Sequence, residues 1–189
     1  MLPLNPDLKT WLVYKPTGVI STMDDPQERP TVRSLVPAEP VTNPVGRLDI
    51  HSEGLMLMTN DGDLALRVTH PRYGIEKTYH VLLEGSVSTR QLASLTEGIE
   101  LDDGLARAKR ARVVDSSHGK TLVELTMTEG RKREIRRMFT KLDIEIERLV
   151  RTTIAGISDR SLSPGDYRAV TISEIREIYA RSESGGTDD

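Results

Sequence analysis

The chain has 189 residues, of which 37% are hydrophobic and 29% are charged, and it contains no cysteine. This length and composition predict one globular domain with a full hydrophobic core, and the lack of cysteine excludes disulfides, thiolate nucleophiles and iron–sulfur clusters. A net charge of −3 argues against binding nucleic acid over the whole surface, although one concentrated basic patch would still allow it.

Two other features exclude further classes of protein. The N-terminus lacks a signal-peptide pattern and no apolar run reaches membrane-spanning length, so we expect a cytoplasmic protein without membrane contact. The histidines lack metal-ligand spacing, so no metal site is expected. They are His51, His70, His80 and His118.

The N-terminal quarter is rich in turn signals. Residues 1–10 carry two prolines and little pattern, so they are expected to form a loose lead-in. A strand is predicted at residues 11–14, and the turn signal at residues 15–18 ends it. The proline-rich segment 21–44 is predicted to be a surface loop with one helical turn, long enough to be functional.

The stretch GRLDIHSEGLMLMTNDG at residues 46–62 organises the rest of the chain. Residues 55–58 are continuously apolar and predict a buried strand, and residues 59–62 predict a turn that caps a helix starting near Asp63. Asp49 precedes this strand on a loop, where a rigid scaffold can present a carboxylate for chemistry. The alternative is a turn residue bonded to its own backbone.

The remaining elements follow from alternating and helical patterns. Strands are predicted at residues 77–83, 105–114, 121–127 and 144–154, and capping boxes at residues 88–91 and 171–174 each open a helix. Residues 182–189 are expected to form a disordered tail. Strands outnumber helices and mostly follow one another, which predicts an α+β fold with a mixed, mostly antiparallel sheet.

Five of the seven residues from 131 to 137 are cationic, although the chain as a whole is acidic. On a helix, Ile135 and Met138 fall on the apolar side and the arginines on the other. Only Glu134 relieves the crowding of like charges, which costs free energy unless an anion is bound. A phosphate backbone is one such anion. The run alone leaves an RNA-binding surface and an ordinary solvated face as alternatives.

Four motifs occur along the chain in a fixed order: KPTG at 15–18, the 46–62 stretch, EKTYHV at 76–81 and EGRKREIRRM at 129–138. Their order and spacing resemble those of the pseudouridine synthases, and most closely their RsuA branch, which isomerises single uridines in ribosomal RNA. The resemblance covers residues from about 11 to about 170, and we take residues 11–181 as the catalytic domain.

The resemblance implies a pseudouridine synthase catalytic fold with flanking helices, an RNA-binding cleft and a set of site residues. Asp49 matches the essential aspartate. Tyr79 matches the tyrosine that packs on the target uracil and assists proton removal from C5. Arg136 matches the basic residue that pairs with the aspartate. The phosphate-binding cations would be Arg47, Arg131, Lys132, Arg133 and Arg137.

The implied reaction breaks the N1–C1′ bond of a uridine, rotates the uracil, and joins C5 to C1′. It needs no redox step and no group donor, so no cofactor is expected, and the target base must be flipped out of its stack. The expected partner is ribosomal RNA, in the large-subunit 23S rRNA, or a pre-ribosomal particle, with the protein a monomer. The chain departs from the family pattern at Glu134, where glutamine is usual, and it is expected to lack the N-terminal S4 domain of many members.

Two other functions stay open at this stage. A non-catalytic RNA-binding or ribosome-assembly factor could keep the fold without the chemistry, although intact Asp49, Tyr79 and Arg136 speak against it. A hydrolase could use Asp49 on a small glycosidic substrate, but that chemistry normally needs two carboxylates that flank one bond. Activity on free nucleosides that is insensitive to salt would favour the hydrolase, because phosphate contacts make RNA binding strongly salt-dependent.

Overall fold

The computed structural model describes residues 7–184, which form a main sheet with helices on both faces. The helices are α1 (Gly62–Thr69), α2 (Thr89–Glu97), α3 (Glu134–Lys141) and α4 (Ile172–Ser184). The strands are β1 (Thr10–Lys15), β2 (Asn43–Val45), β3 (Glu53–Thr59), β4 (Lys77–Glu84), β5 (Ile99–Leu101), β6 (Gly104–Ala106), β7 (Arg110–Ser117), β8 (Lys120–Met127), β9 (Ile146–Ile154) and β10 (Tyr167–Ala169). Short 3-10 helices occupy Val32–Leu35 and Pro71–Tyr73.

The main sheet runs in the order β10-β1-β3-β9-β4-β8-β7. Strand β2 pairs with residues 57–59 of β3, whereas β9 pairs with residues 53 and 54. The β3–β9 pair is parallel, while the other strand pairs of this sheet are antiparallel. Strands β5 and β6 form a separate hairpin. The predicted α+β fold with a mixed, mostly antiparallel sheet is confirmed.

Two hydrophobic cores lie on opposite faces of the sheet. Successive strand residues point to opposite faces, so Val13 of β1 enters one core and its neighbour Leu12 enters the other. Helices α2 and α3 cover the first core, and α1 and α4 cover the second. Every residue of β3 is buried because both of its faces are covered. This rigid strand fixes the loop that precedes it, which carries Asp49.

Most predicted elements are confirmed, including the short helix α1 with Asp61 as its N-cap and the Ser88–Gln91 capping box of α2. The strand predicted at residues 105–114 is instead two strands, β6 and β7. The chain leaves the hairpin after Ala106 and joins the main sheet at Lys109, whose N–H donates to Thr126. Strands β2, β5 and β10 escaped prediction because three residues are too few to show an alternating pattern.

Two boundaries also differ from the prediction. Helix α3 begins at Glu134 because Arg133 has a left-handed backbone (φ 51°), so the first three cations of the basic run lie in a turn. Helix α4 continues to Ser184, and Ser182 is buried and accepts a hydrogen bond from Arg67. The predicted tail is therefore wrong for residues 182–184, and residues 185–189 lie outside the described part, as does the lead-in before residue 7. Among the described helices, none has the length and apolar character that crossing a membrane would require.

Candidate active site

A cavity of about 200 Å³ opens where the loop before β3, the strand β4 and the turn before α3 meet. The predicted site residues converge here from three separate parts of the sequence, with the exception of Arg137, which does not line the cavity. The lining consists of residues 47–49 and Ser52, Tyr79 of β4, Met127 of β8, residues 129–136 and Leu149 of β9.

The loop that carries Asp49 is held by hydrogen bonds to the turn after β1. The buried hydroxyl of Ser21 donates to the carbonyl oxygen of Leu48 (2.8 Å) and accepts from its N–H (3.0 Å). The N–H of Gly18 donates to the carbonyl oxygen of Ile50 at 2.8 Å. Since the loop leads directly into the buried strand β3, both of its ends are fixed, and Asp49 keeps one position at the cavity wall.

The carboxylate of Asp49 is half-buried, and within residues 7–184 it accepts no hydrogen bond and forms no ion pair. Two cations act on it at longer range, Lys15 and Arg136. Lys15 is fully buried and donates to the carbonyl oxygens of Pro16 and Val19, both at 2.8 Å. Burial lowers the pKa of Lys15 to about 8, while the carboxylates of Glu53 and Asp49 act in the opposite direction.

Tyr79 lies on the floor of the cavity, buried among apolar side chains. Its neighbours in the lining are Met127, Ile135 and Leu149, and these surfaces form an apolar wall beside the Asp49 carboxylate. An apolar wall opposite a few polar groups suits a planar, partly polar ligand, because the wall contributes burial and the polar groups fix the ligand's orientation.

Arg136 reaches back from α3 to the Asp49 loop. Its Nη2 donates to the carbonyl oxygen of His51 (3.1 Å) and to the hydroxyl of Ser52 (3.4 Å). Burial lowers the pKa of Arg136, the nearby Arg133 lowers it further, and Asp49 opposes them. The side chains of Asp49 and Arg136 thus line one cavity and attract each other without a direct ion pair in the described structure.

The cations of the basic run fall into two sets. Arg137 binds Asp103, on the turn between β5 and β6, through two hydrogen bonds of 2.8 and 2.9 Å. Arg131 donates to the same carboxylate at 3.1 Å and to Glu134 from its backbone N–H (2.9 Å) and its Nε (3.0 Å). By contrast, Lys132 and Arg133 are exposed, and their side chains form no hydrogen bond or ion pair in the described residues.

Glu134 belongs to the cavity lining, but its side chain is buried. Its side chain is 3% exposed, so the carboxylate points inward and secures the turn through Arg131. Burial raises the pKa of Glu134. The Glu134 carboxylate, at the position where the resemblance led us to expect glutamine, is therefore paired with Arg131 inside the protein.

Sequence reasoning did not single out Arg151 of β9, which does not line the cavity but contacts Tyr79. Its guanidinium is buried behind Tyr79, with Nη1 at 3.5 Å from the phenolic oxygen and the group 6.0 Å from the ring centre. The sequence does not indicate that Arg151 is buried, because the alternating pattern of a strand does not show which of its cations faces the core. In the part of the chain that the structure describes, no group of three or more histidine or acidic side chains is arranged to hold a metal ion.

Comparison with known proteins defines the class of protein to which this fold and cavity correspond. A family model described as RNA pseudouridylate synthase matches residues 9–141. The chain therefore belongs to the RNA pseudouridine synthase family, whose members are isomerases. A crystal structure of a pseudouridylate synthase matches with a TM-score of 0.80 and 33% identity, over 90% of this chain and 74% of that chain. The predicted fold, enzyme class and family are confirmed.

Individual relatives narrow the position within the family. An uncharacterized RNA pseudouridine synthase of Mycobacterium leprae (strain TN) is 45% identical over 176 residues, which is 89% of this chain and 69% of the relative. The ribosomal large subunit pseudouridine synthase B of Bacillus subtilis (strain 168) is 36% identical over 178 residues, which is 93% of this chain and 73% of the relative. These relatives confirm the resemblance to the RsuA branch.

Proposed function

We propose that this enzyme converts one specific uridine of ribosomal RNA, in the large-subunit 23S rRNA, to pseudouridine, with Asp49 as the catalytic carboxylate and without a cofactor. The observation that carries the proposal is the half-buried Asp49 carboxylate, which accepts no hydrogen bond and forms no ion pair in the described structure and lies between an apolar wall and the cations that also line the cavity. The name of the Bacillus subtilis relative supports the choice of RNA. The cavity is smaller than the roughly 300–1,000 Å³ of a drug-sized pocket, which suits a single flipped base.

The chemistry divides among three side chains. The uracil ring packs on Tyr79 and Leu149 while Asp49 acts on the nucleoside and the N1–C1′ bond breaks. The uracil turns within the cavity, C5 bonds to C1′, the C5 proton leaves with help from Tyr79, and N1 gains a proton. The positive charge of Arg136 lies in the same cavity and attracts the Asp49 carboxylate.

Free cations at the mouth of the cavity bind the RNA strand in this proposal. Arg47, Lys132 and Arg133 are exposed, and their side chains form no hydrogen bond or ion pair in the described structure, so each can neutralise a phosphate. Arg131 and Arg137 stay predicted RNA contacts, but a phosphate would have to compete with the Asp103 carboxylate for both. Arg47, Lys132 and Arg133 are therefore the stronger candidates for contacts with the phosphates of the RNA backbone.

The test is pseudouridine mapping on unmodified 23S rRNA transcripts and on assembling large-subunit particles, with wild-type protein and with Asp49→Asn. We expect one new pseudouridine with the wild type and a rate at least roughly 10²–10⁴-fold lower with Asp49→Asn. Asp102→Asn, an exposed matched variant outside the cavity, should retain the wild-type rate.

Each other outcome removes a defined part of the proposal. Product from both wild type and Asp49→Asn would remove Asp49 as the catalytic residue and keep the substrate. No product on transcripts or particles would remove large-subunit ribosomal RNA as the substrate. Tight RNA binding by a wild type that makes no product on any RNA would favour the non-catalytic binding factor.

A further inference from the structure

Arg151 is a buried cation that the proposed chemistry does not use. Its side chain is 3% exposed, and its Nε donates to the carbonyl oxygen of Leu55 at 2.6 Å. Nη1 lies 3.5 Å from the hydroxyl oxygen of Tyr79, and Nη2 is buried with no hydrogen-bond partner in the described structure. An arginine is always charged, so this site holds a desolvated charge whose donors are incompletely satisfied.

The stability of the fold does not account for this arrangement. Arg151 forms no ion pair among residues 7–184, and two further buried cations, Lys15 and Lys77, lie close enough to interact with it unfavourably. Replacing an uncompensated buried charge with an apolar side chain of similar length is commonly neutral or stabilising. A role beyond packing is therefore needed to explain an arginine here.

The backbone holds Arg151 of β9 in a fixed place between the two neighbouring strands, β3 and β4. Gly54 of β3 pairs with Arg151 of β9, and a Cβ on Gly54 would lie 2.3 Å from the carbonyl oxygen of Arg151. Such close approach leaves the arginine backbone little freedom. Its side chain then bridges Leu55 of β3, the strand that follows the Asp49 loop, and Tyr79 of β4.

We propose that Arg151 is a positioning residue for the isomerisation and acts through Tyr79. Its Nη1–H donates to the phenolic oxygen, so the O–H of Tyr79 turns away from the guanidinium and towards the cavity. A phenol both donates and accepts, and fixing the accepting side decides where its proton points. Arg151 is buried behind the tyrosine and does not touch RNA. This inference rests on the role proposed above for Tyr79.

A double-mutant cycle tests the inference. The substitutions are Arg151→Met, which keeps the length and removes the donors, Arg151→Lys, which keeps the charge, and Tyr79→Phe. Single-turnover rates are measured with excess enzyme as tritium released from RNA that carries uridine tritiated at C5, because that hydrogen is lost on product formation. RNA affinity is measured separately by filter binding.

Arg151→Met should lower the rate about 10²-fold with unchanged RNA affinity, and Arg151→Lys should restore part of it. In the Tyr79→Phe background, Arg151→Met should change the rate by less than about 2-fold, since its effect passes through the missing hydroxyl. Arg148→Met is the matched control. It lies on the opposite face of the same strand and should keep the wild-type rate.

Several outcomes would overturn the inference. Additive losses in the cycle, an effect confined to RNA affinity, or a folded Arg151→Met with the wild-type rate would each do so. If neither Arg151 variant folds by circular dichroism, the residue is structural and the inference fails. Tyr79→Phe at the wild-type rate is a separate result, because it removes Tyr79 from the proposed function before Arg151 is considered.

Discussion

The two sets of cations in the basic run predict different dependences of RNA binding on salt. Lys132 and Arg133 are free, whereas Arg131 and Arg137 are bound to Asp103 and to neighbouring carboxylates. The perturbation is a pair of double variants, Lys132→Ala/Arg133→Ala and Arg131→Ala/Arg137→Ala. Both remove two positive charges from the same seven-residue segment, so any difference between them reports on which cations meet phosphate.

The magnitude follows from the number of free cations. Each phosphate contact contributes about −0.7 on single-stranded and about −0.9 on duplex nucleic acid to the slope of log K against log salt concentration. Loss of Lys132 and Arg133 should therefore make the slope shallower by about 1.4 to 1.8. Loss of Arg131 and Arg137 should leave the slope nearly unchanged but lower the melting temperature, because Asp103 and the buried Glu134 lose their partners.

The assay is filter binding to a ribosomal RNA fragment at roughly 50 to 200 mM salt, where such slopes are resolved. Asp103→Asn is the matched control, since it weakens the hold on Arg137 and should make the slope steeper by at most about 0.9. Equal slope changes for the two double variants would refute the reasoning, and so would an unchanged slope for Lys132→Ala/Arg133→Ala. Either result would mean that intramolecular ion pairs do not decide which cations bind phosphate.

Three further predictions concern stability and the Asp49 loop. Gly54→Ala should lower the free energy of unfolding by more than about 2 kcal/mol, because the new Cβ would meet the backbone of Arg151 and the φ of residue 54 is +113°. An unchanged urea midpoint would contradict this prediction. Burial lowers the pKa of Lys77 from 10.5 to about 8, so between these values the unfolded chain binds more protons and the free energy of unfolding rises with pH. Denaturation from pH 7 to 10 should show a steeper rise in the wild type than in Lys77→Met, by at most about 1.4 kcal/mol per pH unit, because Lys15 contributes equally to both proteins; parallel curves would exclude the contribution of Lys77. Ser21→Ala should lower the free energy of unfolding by about 1–3 kcal/mol and lower kcat, because both hydrogen bonds to the Leu48 backbone are lost. Full activity with lower stability would show that these bonds do not position the Asp49 loop.

Local sequence signals were sufficient for the elements around the site. Strand β3 is apolar throughout and bounded by turn residues, and Ser88 and Gln91 form the predicted capping box. Apolar runs and caps act between residues a few positions apart, so their free energies can be read from a short segment. The motif order also carried the resemblance that the family comparison confirmed.

The sequence by itself thus determined the family, the fold class and the segments that converge on the cavity. The tertiary structure decided which cations of the basic run are free, and that Arg151 lies behind Tyr79. The partner of Arg137 is Asp103, on a hairpin 34 residues earlier in the chain, and Arg151 meets Tyr79 only because β9 pairs with β4. The burial and pairing of a charge depend on which strands become neighbours, and that arrangement is set by packing of the whole chain rather than by local pattern.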